Sequence, residues 1–580
     1  MTEQEQFRQQ APPPLPSRSI QLPTPVEAKL KNGLEIVVVS DPRLPLVSYR
    51  LAFRTGDAHD PEGLPGLTDI LTGLLSEGTQ SHTSREIADL VAKMGATLSA
   101  GANSDYTTIA ASSLTTFHEQ IFDLLADVVL NPSFPENEVK LIKENTKESL
   151  KQQRAQPSFL ASEMVSRIIF GKHPYSNIAP TLASLDATTR QKIVDFHRTR
   201  FAPNNAVLVV AGDVDPDTLI KRAEGLFGNW PTRDLSPDKF PDPPKRTSRT
   251  AYLVDRPGSA QSNIVIANGG GISRTSPDYF PMLLMHTVLG ANASSRLFMN
   301  LREEKGYTYG AYSSLDARRT AGSFRVSAEV RTPVTEASLK EFFFELDRIR
   351  QEPVSSKELD DAKSYLTGVF PIRLETQEGL IDQLVQIKMF GLPHDYLEIY
   401  RNRIQEVTVD QILEVARKFV RPDEAAIVIV GDGAELVSQI EPYAGEIEFF
   451  NTAGKKKSQP APANSETRAA VEATLAGDWS LQIETPLGQS IPATLILGNS
   501  VKGLSGRVES DMGNGELLSA TFDGESFAAV VAFDVSGHAM EARIAGEVTD
   551  GQMEGSITLQ DAPALNFTGT RNEASTETQN

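Results

Sequence analysis

The sequence predicts an α+β fold: two homologous α+β domains around a cleft, then a small C-terminal antiparallel β barrel or sandwich. Three observations predict it. One ending occurs twice, as RFAPNNAVLVVAGD closing at Asp213 and as KFVRPDEAAIVIVGD closing at Asp432. Each copy follows a helical stretch, passes a proline turn and runs through an apolar strand into Gly-Asp, as a repeated unit would. Upstream, SYRLAFRTG and its helix are echoed more loosely by SNIVIANGG and YFPMLLMHTVLG. After Phe450 the composition breaks, and the rest reads as short alternating runs divided by Gly, Asp and Asn turns.

Residues 1–24 read as a flexible, proline-rich N-terminal arm. The arm lacks the basic and hydrophobic regions of a signal peptide, so a cytoplasmic location is expected. A periplasmic or exported protein stays open if the N-terminus is incomplete. The first domain spans 25–239. GLEIVVVSD and LVSYRLAFRTG are strand-like. A helix is expected from about Leu64 to Ser76, stopped by Gly78, and another over SREIADLVAKMG, with Ile87, Leu90, Val91 and Met94 on one face. ATLSAGANSDYTTIAASSL alternates as paired strands do, and from about Phe117 the chain is mostly helical up to the first repeated ending. Residues 240–251 form a linker, 252–450 the second domain, 451–472 a Lys/Pro/Ser/Ala linker, and 473–580 the all-β domain, with Trp479 plugging one end of its core. Gly56, Gly212 and Gly431 are expected at strand ends.

Composition narrows the chemistry. The chain has 580 residues, 39% hydrophobic and 23% charged, ordinary for a globular protein of several domains. With no cysteine, disulfides, thiolate metal sites and cysteine nucleophiles are excluded. A net charge of -20 argues against a general nucleic-acid or anionic-membrane surface. No apolar run approaches transmembrane length.

The eight histidines show no HxxEH, HExxH or HxH pattern, and no two have the helical spacing of a zinc pair. His173 in GKHPYS and His394 in GLPHDY hold comparable places in the two copies, which favours a structural loop role for both. There is no GxSxG elbow, and Gly269, Gly270 and Gly271 read as a tight turn. Asp69, Glu77, Glu144 and Glu148 fall on expected helices, where most acidic residues are simply solvated.

One stretch is specific. VLGANASSRLFMNLREEKGYTYGAYSS, residues 288–314, closely resembles the second-domain signature of the pitrilysin/insulinase family of inverted-zinc-motif metallopeptidases, which includes mitochondrial processing peptidase. The resemblance covers about residues 25–445 and includes GLPGLTDILTGLLSEGT. It places the family's arginine and tyrosine at Arg302 and Tyr309. It implies that Arg302 binds a substrate carbonyl and that Tyr309 supports the tetrahedral intermediate.

The first-domain motif departs from the family. Its two histidine positions fall at Asp69 and Gly73, its catalytic glutamate at Thr72, and its distal ligand at Ser149, with Glu148 adjacent. Gly73 has no side chain to ligate, and Thr72 cannot act as the carboxylate base. The resemblance therefore implies that this chain binds no cofactor. It implies a partner subunit bearing HxxEH and the zinc, in a heterodimer or higher heteromer acting on peptides or unfolded small proteins. A homodimer, a noncatalytic assembly subunit and a self-sufficient peptidase with an unrecognised metal site stay open, as does a relic Arg/Tyr pair. Neither nucleic acid nor membrane is expected as a partner.

Overall fold

The computed structural model of the chain describes residues 23–460 and 473–572, apart from 486–488, 501–502, 511–512, 523, 525, 536–537 and 560–563. All but the last two residues of the N-terminal arm lie outside this range, as does 461–472 of the second linker.

Two separate sheets carry the repeat. The first contains β1 (Val26–Lys29), β2 (Glu35–Ser40), β3 (Leu46–Phe53), β4 (Thr97–Ala102), β5 (Thr107–Leu114) and β6 (Ala206–Gly212), in the order β1-β2-β6-β3-β5-β4. The second contains β7 (Thr250–Asp255), β8 (Gln261–Gly269), β9 (Thr308–Ala317), β10 (Gly322–Arg331), β11 (Ala426–Gly431), β12 (Ile447–Phe450) and β13 (Lys456–Lys457). Its order is β13-β12-β7-β11-β8-β10-β9. Within each lies the same five-strand block: a parallel pair, β2 with β6 or β7 with β11, followed by three antiparallel neighbours. The repeated Gly-Asp endings are β6 and β11, inner strands buried along their whole length. Strands covered on both faces read as continuous apolar runs, which is why these two stand out in the sequence.

Each sheet borrows a helix from the other unit. Helix Pro157–Phe170 belongs to the first unit but packs on β8 and β11, placing Leu160, Met164, Val165 and Ile169 in one cluster with Val265, Val428 and Val430. In return, helix Gln377–Phe390 covers β3 and β6, joining Ile381, Leu384 and Val385 to Val37, Ala52, Val207 and Val209. The first unit's own helices fill the opposite face of its sheet, around Leu51, Leu71, Phe122 and Leu208.

The tip of the β9–β10 hairpin also crosses over. Arg318 Nη1 donates to Ser104 Oγ at 2.8 Å, and Arg319 N–H to Asp105 Oδ2 at 3.1 Å. Tyr175 donates to the other Asp105 oxygen and receives a bond from Thr320 at 3.0 Å. Beside this crossing lies a cavity of about 660 Å³ between the units, lined by residues 103–106 on one side and by Arg274, Tyr279, Phe370 and Arg373 on the other. Among the described residues, β4 and β9 are the edge strands at the antiparallel ends of the two sheets, with β1 and β13 at the opposite ends.

Gly56, Gly212 and Gly431 stand at or just beyond strand ends, as expected. A Cβ at Gly56 would lie 2.0 Å from Asn103 O, and one at Gly212, with φ at +149°, would lie 2.3 Å from Leu46 O. Backbone approaches this close leave room only for glycine.

The C-terminal module is a closed barrel of eight antiparallel strands between Gly477 and Arg571, the first pairing with the last. Closure settles the choice between barrel and sandwich. Trp479 is buried with Leu481, Val531, Ile544 and Phe567, and its Nε1–H donates to Leu475 O at 3.0 Å. The barrel meets the second unit where Asn451 Nδ2 donates to Glu547 Oε1 at 3.3 Å.

The expected helix around Asp69 is shorter than predicted, running Leu67–Leu74. Glycine 66 is left-handed at its start, and Asp60 fixes that start by accepting from Gly66 N–H, Thr68 N–H and Thr68 Oγ1–H. Glu77 therefore lies beyond the helix, where it accepts from Ser84 Oγ. His173 and His394 both lie in turns, but in different surroundings. His173 is buried, caps the turn Pro174–Ser176 and bonds Thr320, whereas His394 is exposed. Only the first is gripped by the incoming hairpin of the other unit.

Candidate functional site

The Arg302 and Tyr309 region is built by an unusual helix. A single α-turn, Arg296–Phe298, passes directly into a π-helical segment, Met299–Glu304. Buried Leu297, Phe298 and Leu301 anchor it to the core. Wide turns of this kind occur frequently at functional positions. Arg302 lies on its outer side, 44% of its side chain exposed, paired with Glu303 at 3.1 Å. Its guanidinium carbon stands 4.9 Å from the centre of the Phe298 ring, which holds it by a cation–π contact.

Gly306, with φ at +64°, turns the chain into β9. There Thr308 faces Val330 and Ala311 faces Ala328, so Tyr309 and Gly310 together oppose the single residue Glu329. This is a β-bulge, a device that re-aims a side chain. Tyr309 emerges from it 91% exposed, and its hydroxyl has no hydrogen-bond partner among the described residues. Arginine and tyrosine thus sit on different elements, joined by a glycine turn, and both reach solvent.

The degenerate motif has a different character. Asp69 lies on the exposed side of its helix. Thr72 is buried, and its hydroxyl donates back to Asp69 O at 2.9 Å. At Gly73 a Cβ would stand 2.5 Å from Ile142 Cδ1, so the tip of an isoleucine from helix Glu136–Arg154 occupies the space where a side chain at 73 would begin. Ser149 is exposed on that same long helix and accepts a 3.5 Å contact from Gln153. Glu144 and Glu148 are occupied by Lys147 and Lys151 one turn along, at 3.1 and 2.9 Å. Among the described residues no group of three or more His, Asp or Glu side chains could hold a metal. These residues do not fit a zinc ion. Neither large cavity has both Asp69 and the Arg302/Tyr309 pair in its lining.

The sequence reading missed two neighbours of Asp69. Asp57 and Asp60 precede its helix, and Asp57 Oδ1 is buried without a hydrogen bond. Burial, and then the charges of Asp69 and Asp60, push the Asp57 carboxyl up. Burial pushes Asp60 up to about 6, against the hydrogen bonds from Thr68 and Gly66; Asp69 is raised as well, by the protein crowded around its carboxyl although the side chain still reaches solvent. The run DAHDPEG carried the signal, two carboxylates just ahead of a helix, but it reads equally as a solvated turn.

Known proteins resemble the chain over these two units. Residues 35–180 match the model of the insulinase family, peptidase family M16, and residues 187–366 match that of the peptidase M16 inactive domain. An uncharacterized zinc protease of Bacillus subtilis, YmxG, is 24% identical over 70% of this chain and 97% of its own length. A protein of Helicobacter pylori named as the non-peptidase homolog YmxG is 22% identical over 67% of this chain and 90% of its own. A crystal structure of a peptidase M16 inactive domain from Pseudomonas fluorescens superposes with a TM-score of 0.66 at 26% identity. It covers 70% of this chain and 98% of that one, so the rest of this chain has no counterpart there. Among the described residues no helix is long and apolar enough to cross a membrane. Two models of one family match consecutive stretches that together exceed half the sequence, on duplicated sheets with the same strand order: the chain belongs to the M16, or insulinase/pitrilysin, family, as a member without the HxxEH motif.

Proposed function

We propose that this chain is the non-zinc-binding subunit of a heteromeric M16 metallopeptidase, contributing Arg302 and Tyr309 to peptide-bond hydrolysis at a partner's active site. The carrying observation is the contrast in exposure. Tyr309 stands 91% exposed on a bulge, while Ile142 fills the space at Gly73. A tyrosine so exposed has little packing role in its own chain. In a complex it offers a phenolic donor to a developing oxyanion, and Arg302 a fork of donors to a peptide carbonyl. Zinc would be supplied by an HxxEH-bearing homologous chain. An extended peptide would add to a sheet edge, β4 or β9, through its backbone, which tolerates many sequences.

The test compares peptide hydrolysis by this chain, by the partner and by their mixture. The mixture should far exceed the partner alone. Equal rates would overturn the proposal.

A second reading is a noncatalytic assembly subunit, favoured by the ion pair and ring contact that already engage Arg302. It predicts that changes at Arg302 or Tyr309 leave the partner's activity intact and that deleting residues 470–580 disrupts assembly. A self-sufficient peptidase would require stoichiometric zinc in the purified chain, lost together with activity on chelation.

A further inference from the structure

We propose that a cavity beside the Arg302 helix binds short peptides bearing a free α-ammonium group. The cavity measures about 880 Å³ and lies wholly within the second unit. Met299 and Asn300 border it from the π-helical segment, Glu341, Phe344 and Glu345 from the helix Thr335–Gln351. Three of its residues hold a buried polar atom with no hydrogen bond: Arg296 Nη1, Asn300 Oδ1 and Glu345 Oε2. The residues themselves are only 9%, 7% and 3% exposed.

Their remaining groups are already committed. Arg296 Nε and Nη2 donate to the two Glu358 oxygens at 2.6 and 3.1 Å. Asn300 Nδ2 donates to Glu341 Oε2 at 3.1 Å and to Glu345 Oε1 at 3.0 Å. Arg348 Nη1 is ion-paired with Glu345 Oε2 at 3.7 Å, but that is beyond hydrogen-bond reach, so the oxygen's charge is met only in part and its lone pairs are not. A buried polar atom without a partner bears its desolvation uncompensated, and such atoms are rare in folded proteins. Three on residues around one cavity mark it as a place for a polar ligand.

The orphans also specify its chemistry. Glu345 Oε2 and Asn300 Oδ1 are acceptors, one of them anionic, and ask for a cationic N–H donor. Arg296 Nη1 asks for a carbonyl or carboxylate oxygen. An α-ammonium group and the carbonyl next to it supply both within one residue. Phe344, 54% exposed, and Met299, 44% exposed, give an apolar wall for the first side chain. The volume lies in the range of pockets for drug-sized molecules, which favours a peptide of a few residues over a single amino acid. The three atoms are closed off from solvent, so binding includes a side-chain shift, to which unbranched Met299 is suited. Arg302 and Tyr309 do not line this cavity, so the proposal stands apart from the heteromer reading.

Calorimetric titration of the full chain with trileucine, N-acetyl-trileucine and leucine tests it. Trileucine should bind saturably, and acetylation should weaken binding roughly ten- to a hundredfold, the worth of a charge-assisted bond. Glu345→Gln should weaken trileucine to a similar degree, and Leu141→Ala, at an exposed position in the first unit, should change nothing. Should Glu345→Gln fail to fold, Phe344→Ala at a half-exposed position takes its place, with a severalfold loss expected. No saturable heat from trileucine, equal affinity for the acetylated form, equal affinity for leucine, or indifference to the cavity variant that folds would each overturn the proposal.

Discussion

The two α+β units share one five-strand block but have specialised different helices. In the first, Asp69, Thr72 and Gly73, read as the degenerate histidine and glutamate positions, lie on the helix that follows β3, and the helix before β4 is ordinary, opened by a Thr83/Glu86 capping box. In the second, the helix that follows β8 is plain apolar packing, and the one before β9 has become the π-helical carrier of Arg302. Their charges differ too. Asp57, Asp60 and Asp69 crowd together with all three carboxyls raised, whereas Glu358 is held low by an arginine. Duplicated topology fixes where side chains can be placed, and the two copies have filled those places differently.

The sharpest break of this contrast is Tyr309→Phe in a mixture with the zinc-bearing partner. Turnover should fall by roughly two to three powers of ten if the hydroxyl stabilises an oxyanion. A loss below threefold would make the second unit as chemically silent as the first.

Restoring the missing half comes next. Asp69→His, Thr72→Glu and Gly73→His together should not confer stoichiometric zinc, because Ser149 still supplies no third ligand and the Ile142 tip stands at Gly73. Overpacking there should cost about 1–3 kcal/mol, read as a lower denaturation midpoint. Adding Ile142→Ala should recover part of that loss and raise the zinc content by metal analysis. Zinc bound without the added change would show that the isoleucine is no obstacle.

Two smaller predictions oppose each other in pH. Burial would raise Glu358, but the Arg296 side chain and the Ser355 N–H and hydroxyl bring it down to about 2. Its contribution is therefore present above its unfolded value near 4.5 and fades as pH falls toward 2. Glu358→Gln should cost about 1 kcal/mol at pH 7, reduced by solvent screening, and much less at pH 2.5. In the aspartate cluster the folded state holds protons more tightly than the unfolded chain. Its contribution therefore falls as pH rises from about 4 through the raised values. Asp57→Asn should raise stability at pH 8 by something on the order of 1 kcal/mol and flatten the slope between pH 5 and 8 in denaturant titrations. A slope unchanged by Asp57→Asn would remove the cluster from the account.

What the sequence disclosed follows the reach of each interaction. The Gly-Asp endings were legible because β6 and β11 are buried on both faces and so are apolar throughout. Arg302 and Tyr309 were legible because helix, turn and strand are contiguous in the chain. Ile142 at Gly73 was not, since that contact joins residues far apart in sequence. Nor was the exchange of Pro157–Phe170 and Gln377–Phe390, whose apolar faces say that they are buried but not against which sheet. The π-helical turn and the bulge at Tyr309 left no separate mark, because residues that widen a turn also suit an ordinary helix or strand.

That exchange makes the two units thermodynamically inseparable. Each buried Leu, Ile or Val on a borrowed helix contributes roughly 1.5–3 kcal/mol that its own unit cannot recover alone. A cut in the stretch without regular structure between Phe227 and Thr250 would leave each half with one apolar sheet face bare. Either half made singly should behave as a sticky, partly ordered species, while the two made together should find each other and restore the whole. Residues 23–460 should accordingly melt in one cooperative transition, with the barrel, closed on its own ladder of hydrogen bonds, free to melt in another.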